Sequence, residues 1–135
     1  DGSAIAQWYL NEPGDVRSSF ALEVPANEYT TQGLELDFVG LCWGGDLIWN
    51  GASWRHRQFR GNSWANVSGE RQRFITNSYR VLMTRGREGL VIWVPSGSTE
   101  DPTRKPKHFD RTAEFLVRCG ARQVSEKEAL ADANF

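Results

Sequence analysis

Two segments of the chain combine residue types that phosphate chemistry uses. The first runs Tyr29-Thr30-Thr31-Gln32-Gly33-Leu34-Glu35-Leu36-Asp37 and leads straight into an apolar stretch. The second runs Asn77-Ser78-Tyr79-Arg80-Val81-Leu82-Met83-Thr84-Arg85-Gly86-Arg87 and leads into Leu90-Val91-Ile92-Trp93-Val94. It sets two arginines, Arg85 and Arg87, at the expected end of a helix, directly before a buried strand. An arginine held there by a rigid scaffold can still project into a cleft and neutralise charge developing on a transferring phosphoryl group. The same placement suits a solvated helix terminus, where the macrodipole favours cations. The first segment is equally ambiguous by itself. Gly33 permits a tight turn, while Gln32 and Glu35 are either ligands or turn-forming polar residues.

Other chemistries fit less well. A Gly-x-x-x-x-Gly-Lys-Ser/Thr phosphate loop is missing from the sequence, and so is an acidic pair closing an apolar strand, as a magnesium site would need. Asp37, Asp46 and Glu35 have no following lysine placed to complete a metal-dependent nuclease. His56 and His108 lack a triad pattern and read as surface or loop histidines. Cys42 and Cys119 fit no metal-ligand spacing and read as two free thiols of a reducing cytoplasm rather than a disulfide. No metal site is expected.

The elements that must position the two segments follow from periodicity. Phe20, Leu22 and Val24 alternate with polar or small residues and predict a half-buried strand ended by Pro25. Leu36 to Trp43 is apolar enough for a buried central strand. Residues 47–66, with Trp49, Trp54 and Trp64 among Asn, Gly and Ser, read as a hairpin or ordered excursion. Over 70–85, Ile75, Tyr79, Leu82 and Met83 share one helical face and Arg73, Asn77, Arg80 and Thr84 the other. Gly86 sits where that helix would stop in the left-handed conformation. Leu90 to Val94 predict a short buried strand, and a loop follows over 96–108. Asp110 is then the expected cap of a second helix over 109–119, ending at Gly120, with a polar tail over 121–135. Strands alternating with helices predict an α/β fold.

The 135 residues suffice for one domain with its own core, and charged residues at 24% with 39% hydrophobic are ordinary for a soluble protein. No run approaches the roughly 18 apolar residues of a membrane span. The chain opens on Asp1 without a basic segment leading into an apolar stretch, which predicts a piece of a longer protein with no secretory leader. Net charge is -1, yet its distribution is lopsided. Residues 1–46 carry eight acids against Arg17, whereas residues 54–87 carry eight arginines against Glu70. Arginine without lysine suits planar recognition of phosphate or carboxylate. Packing of the basic half against the acidic half would account for the pattern equally well.

Taken in order, the two segments resemble motifs V and VI of superfamily-1 helicases. The Gln32-Gly-Leu-Glu-Leu-Asp37 element resembles motif V, and Tyr79-Arg-Val-Leu-Met-Thr-Arg85 resembles motif VI. With Trp43-Gly-Gly-Asp46 and the late Phe109-Asp-Arg-Thr-Ala-Glu-Phe-Leu, residues 20–120 are similar to a family of helicase-like P-loop ATPases related to the helicase-like region of Schlafen proteins.

That resemblance implies a RecA-like second lobe, with a mostly parallel central sheet flanked by helices and a Trp-rich hairpin excursion. It implies ATP with Mg²⁺ as cofactor of the full-length protein, bound between this lobe and an N-terminal ATPase lobe of the same chain. The fragment alone is expected neither to hydrolyse ATP nor to bind it tightly. Arg85 matches the motif VI arginine that reaches the γ-phosphate, and Glu35 the motif V glutamate near the nucleotide sugar. Gln32 and Gly33 match the turn linking the nucleotide site to the nucleic-acid track, and Arg87 flanks the site. Trp49, Trp54, Arg55 and Arg57 are candidates for contact with DNA or RNA, through stacking beside cations. The competing reading is a non-catalytic module for glycan, peptide or protein. It predicts Trp49, Trp54 and Trp64 exposed together.

Overall fold

The computed structural model describes residues 2–31, 33–125 and 128. Its elements in order are α1 (Gly2–Leu10), a 3-10 turn (Ser19–Ala21), β1 (Leu36–Cys42), β2 (Leu47–Trp49), β3 (Trp54–Arg60), β4 (Ser63–Asn66), α2 (Gly69–Met83), β5 (Gly86–Trp93), a second 3-10 turn (Pro102–Arg104) and α3 (Pro106–Arg118). β1 pairs with β5, while β2, β3 and β4 form a separate sheet in that order. The Leu36 N–H bonds the Arg85 carbonyl and the Trp43 N–H the Trp93 carbonyl, so β1 and β5 run parallel. Parallel neighbours need a long crossover. Here it contains the whole β2–β4 sheet and α2.

The fold is mixed α/β, but the parallel component is confined to one pair of strands, and the other two pairings are antiparallel. The expectation of a mostly parallel sheet is corrected accordingly. Two features of the sequence explain it. The stretch 20–24 is not a strand: Ser18 caps a 3-10 turn by accepting the Phe20 N–H, and Leu22 adopts φ 57, outside the range of any strand. Phe20, Leu22 and Val24 are all exposed. The stretch 47–66 absorbs three strands into hairpins. Gly61 supplies positive φ in the two-residue turn that pairs Arg60 with Ser63.

The chain divides into two compact units, Asp1–Val39 with Ser78–Leu90 and Gly40–Asn77 with Val91–Phe135. In the first, α1 is held by Trp8, whose indole donates to the Val24 carbonyl at 2.8 Å, and by Tyr9, whose hydroxyl donates to that of Thr30 at 3.2 Å. The second holds most of the buried apolar side chains: Leu41, Trp43, Leu47, Ile48, Ile75 and Phe109. Thr112, fully buried on α3, donates to the His108 carbonyl and accepts the Trp49 N–H at 3.0 Å, tying α3 to β2.

The helix over 70–85 is α2, and its faces follow the periodicity: Ile75 and Tyr79 are buried, while Arg73, Asn77, Arg80 and Thr84 are exposed. Two boundaries and one burial pattern differ. Gly86 does not cap α2 in the left-handed region but opens β5, where a Cβ would collide with the Gly89 carbonyl. α3 begins at Pro106, four residues before Asp110, because proline at the first helical position needs no N–H partner. β1 is not a buried central strand: of its residues only Leu41 is buried, and Phe38 is 75% exposed. Both cysteines are free.

Candidate functional site

The two signature segments meet within the first unit. The Asn27 carboxamide oxygen accepts the Tyr29 and Thr30 N–H groups, and the Thr31 hydroxyl donates to the Asn27 carbonyl, so the approach to the site is a locally bonded turn. Gly33 follows with φ 84, a conformation L side chains adopt only with strain, and the Leu34 N–H closes onto the Thr31 carbonyl. From the other segment, the half-buried Arg85 donates through Nη1 to the Leu34 carbonyl at 3.2 Å. In the reverse direction the Leu36 N–H bonds the Arg85 carbonyl at 3.0 Å. Residues 51 apart in sequence are thereby locked at the opening of the β1–β5 ladder.

Around this junction lie the remaining candidates. Glu35 is exposed. Arg87 and Asp37 form an ion pair at 3.5 Å, both more than half exposed, so the pair orients the two groups and adds little stability. Gln32 lies outside the described residues. Arg85 Nε is buried and makes no hydrogen bond, which leaves the guanidinium with a donor that the protein does not satisfy. The structure thus brings Gly33, Glu35, Arg85 and Arg87 to one edge of the fold. It offers a cation with an unsatisfied donor beside a glycine turn, and a second cation shared with a carboxylate.

The tryptophans and arginines of 47–57 are positioned differently, in the second unit. Trp49 stacks on Phe115 at 4.0 Å between ring centroids, and Trp54 stacks on Trp43 at 5.7 Å. Arg57 is buried: its Nε donates to the Gly45 carbonyl at 2.9 Å, Nη1 reaches His108 Nδ1 at 3.3 Å, and its guanidinium lies 4.9 Å over the Trp64 ring. Gly45 must lack a Cβ because that atom would stand 2.6 Å from the Trp64 ring. Arg55 is exposed on the opposite register of β3 from Trp54 and His56.

Neither histidine lies in a loop, and His108 is half-buried on α3. His56 is buried on β3, its Nε2 2.8 Å from the Thr76 hydroxyl, and burial pulls its pKa down against the opposing pull of Asp46. His108 on α3 is shifted down first by burial and then by the charge of Arg57, with Lys105, Arg111 and Lys107 adding to it. Spacing carried no hint of the Arg57–His108–Trp64 cluster, since His108 joins Arg57 from 51 residues away along the chain.

Comparison with known proteins decides the family. A family model described as Schlafen group 3, DNA/RNA helicase domain, matches residues 3–96. The chain belongs to that family. Both signature segments fall inside the matched span, whereas α3 lies beyond it. No curated protein and no solved structure matches the chain. The chain is therefore a Schlafen-type helicase-like region. Among its described residues no group of His, Cys, Asp or Glu could hold a metal ion, and no helix is long and apolar enough to cross a membrane.

Proposed function

We propose that this Schlafen-type region is the second, RecA-like lobe of an ATP-dependent nucleic-acid motor, and that it supplies motif V and the motif VI arginine to a nucleotide site shared with an N-terminal lobe. The observation that carries this is the Arg85–Leu34 hydrogen bond, which joins the motif VI segment to the motif V turn. Arg85 is the γ-phosphate-reaching cation, Gly33 and Gln32 form the turn, and Glu35 and Arg87 flank the nucleotide. Magnesium and ATP are held mainly by the other lobe, since this chain carries no phosphate-binding loop.

A further geometric point favours a shared site. A lone parallel α/β sheet normally receives its ligand at the carboxyl ends of the strands. These candidates instead gather at the amino ends of β1 and β5, near Leu36 and Gly86. From there they can complete a nucleotide site but are poorly placed to build one. The reading as a glycan- or peptide-binding module draws less support, because Trp49 and Trp54 are engaged with Phe115 and Trp43. DNA and RNA both remain substrates of this proposal, and a cytoplasmic location is part of it.

The test is ATP turnover by the full-length protein with and without single-stranded DNA or RNA, beside Arg85→Ala. Turnover that rises with nucleic acid and falls about 10³–10⁵-fold in the variant, with nucleotide binding largely kept, is the expected result. A variant that turns over like the wild type ends the assignment of Arg85.

A further inference from the structure

The second unit contains an open depression of about 470 Å³ lined by Gln58, Arg60, Asn66, Val67, Ser68 and Arg71. Val67 is its single apolar residue, and no carboxylate lines it. Gln58 and Arg60 project from the same face of β3 because they are two residues apart on a strand. Asn66 ends β4, which is fixed to β3 by the Gln58–Ala65 and Arg60–Ser63 pairings. Ser68 precedes α2 and Arg71 sits in its first turn, so the lining converges from two strands and a helix start.

Both guanidiniums are exposed and available. Arg60 reaches only as far as the Gln58 carboxamide at 3.4 Å, and the Arg71 guanidinium lies 5.0 Å over the Phe74 ring. Among the described residues neither forms an ion pair with a carboxylate. Glu70, the acid of the first turn of α2, is not part of the lining. Two exposed guanidiniums without a carboxylate partner, beside amide and hydroxyl donors, suit phosphate oxygens. The opening turn of α2 adds its partial positive charge on the same side.

We propose that this depression binds the phosphodiester backbone of single-stranded nucleic acid, an assignment that rests on the motor reading above and gives it a nucleic-acid contact. Its polar lining suits a charged backbone and offers nothing to an acyl chain or an apolar peptide side chain. It lies inside the span that matches the DNA/RNA helicase domain family. Trp49, Trp54 and Arg57, bound up in the aromatic core and the Gly45 carbonyl, are replaced in this role by Arg60 and Arg71.

The experiment measures fluorescence anisotropy of labelled oligothymidylate and oligouridylate over a salt series, with the full chain and with Arg60→Ala/Arg71→Ala. Both residues are exposed, and circular dichroism checks that the variant folds. Loss of two phosphate contacts lowers the slope of log affinity against log salt by about 1.4, since each contact with a single strand contributes roughly 0.7. Affinity falls at least tenfold, and Arg60→Lys/Arg71→Lys restores most of the slope. Unchanged affinity and slope in the double alanine variant overturns the proposal, as does failure of the wild type to bind either oligonucleotide. Binding of anionic phospholipid vesicles in preference to the oligonucleotides overturns it too. In the full-length protein the double variant keeps its ATP turnover without nucleic acid, whereas Arg85→Ala does not, so the two readings can fail separately.

Discussion

The two units differ in what holds them. The second buries Leu41, Trp43, Leu47, Ile48, Ile75 and Phe109 and braces them with a tryptophan–phenylalanine cluster. The first buries Tyr79 among its described large apolar residues and leaves Ile5, Leu10, Val16, Phe20, Leu22, Val24, Tyr29 and Phe38 exposed. Yet the first unit carries the residues resembling motifs V and VI. The signature segments are therefore held by turns and hydrogen bonds rather than by apolar packing: the Asn27 turn, the Gly33 conformation, the Arg85–Leu34 bond and the opening of the β1–β5 ladder. Backbone hydrogen bonds can fix a turn without burying apolar area, but they contribute only about 1 kcal/mol each. The packed unit has the larger reserve of stability, and the unit with the candidate chemistry has the smaller.

The same truncation made in both regions sharpens the contrast. Phe109→Ala removes a ring that is 4% exposed and should cost about 3–5 kcal/mol, by loss of transfer energy together with the cavity left behind. Phe20→Ala removes a ring that is 71% exposed and should change stability by no more than about 0.5 kcal/mol. Urea denaturation of the two variants measures both. Equal losses would mean that Phe20 is covered in solution, and the first unit would then be better packed than its exposures indicate.

What the sequence disclosed divides along the same line. The α2 faces were legible because a helix repeats its pattern over many residues, and Ile75 with Tyr79 opposite Arg73 with Asn77 is enough to set the phase. The family of the chain was legible because the residues that carry the resemblance lie in contiguous segments within the matched span. For 47–66 the sequence suggested a hairpin or an excursion but not three strands in one sheet, because Asn, Gly and Ser are spread between the tryptophans and mark no single turn, so the register of pairs such as Leu47 with His56 was not set by the pattern. Nor did it disclose that Arg57 points at the Gly45 carbonyl and His108, because contacts of that kind carry no periodicity. Phe20, Leu22 and Val24 misled for a physical reason. Alternation alone does not make a strand, and a serine cap with a left-handed leucine prevailed where no neighbouring strand pairs with the segment.

The histidines of the second unit supply a smaller effect with a definite sign. His56 and His108 are both held below the ordinary value of 6.5, chiefly by burial. Above that value both are neutral in the folded and unfolded chain, and their contribution to stability is fully present. As pH falls through 6.5 the unfolded chain takes up protons before the folded one, so stability declines until the depressed folded values are passed. Melting temperature measured from about pH 8 down to about pH 5 should therefore fall, and His108→Asn should flatten the decline. A melting temperature that rises on acidification would mean that His108 is charged in the fold and that its contact with Arg57 is not made.

The smallest effect tests the first unit where it is most strained. Leu22 is the one described residue other than glycine with positive φ, and its side chain is 88% exposed. A left-handed leucine costs about 1–2 kcal/mol, which glycine avoids, although glycine gives back part of the gain through the larger entropy of the unfolded chain. Leu22→Gly should thus stabilise by about 0.5–1 kcal/mol, opposite in sign to nearly every other substitution to glycine. Denaturation beside Leu10→Gly, an exposed residue at the end of α1, isolates the effect of φ from the loss of an apolar side chain. If Leu22→Gly destabilises as Leu10→Gly does, the leucine is held by packing. The 3-10 turn would then be a docked element of the first unit, and the contrast between the two units would narrow at the place where the sequence pattern had suggested a strand and the structure has none.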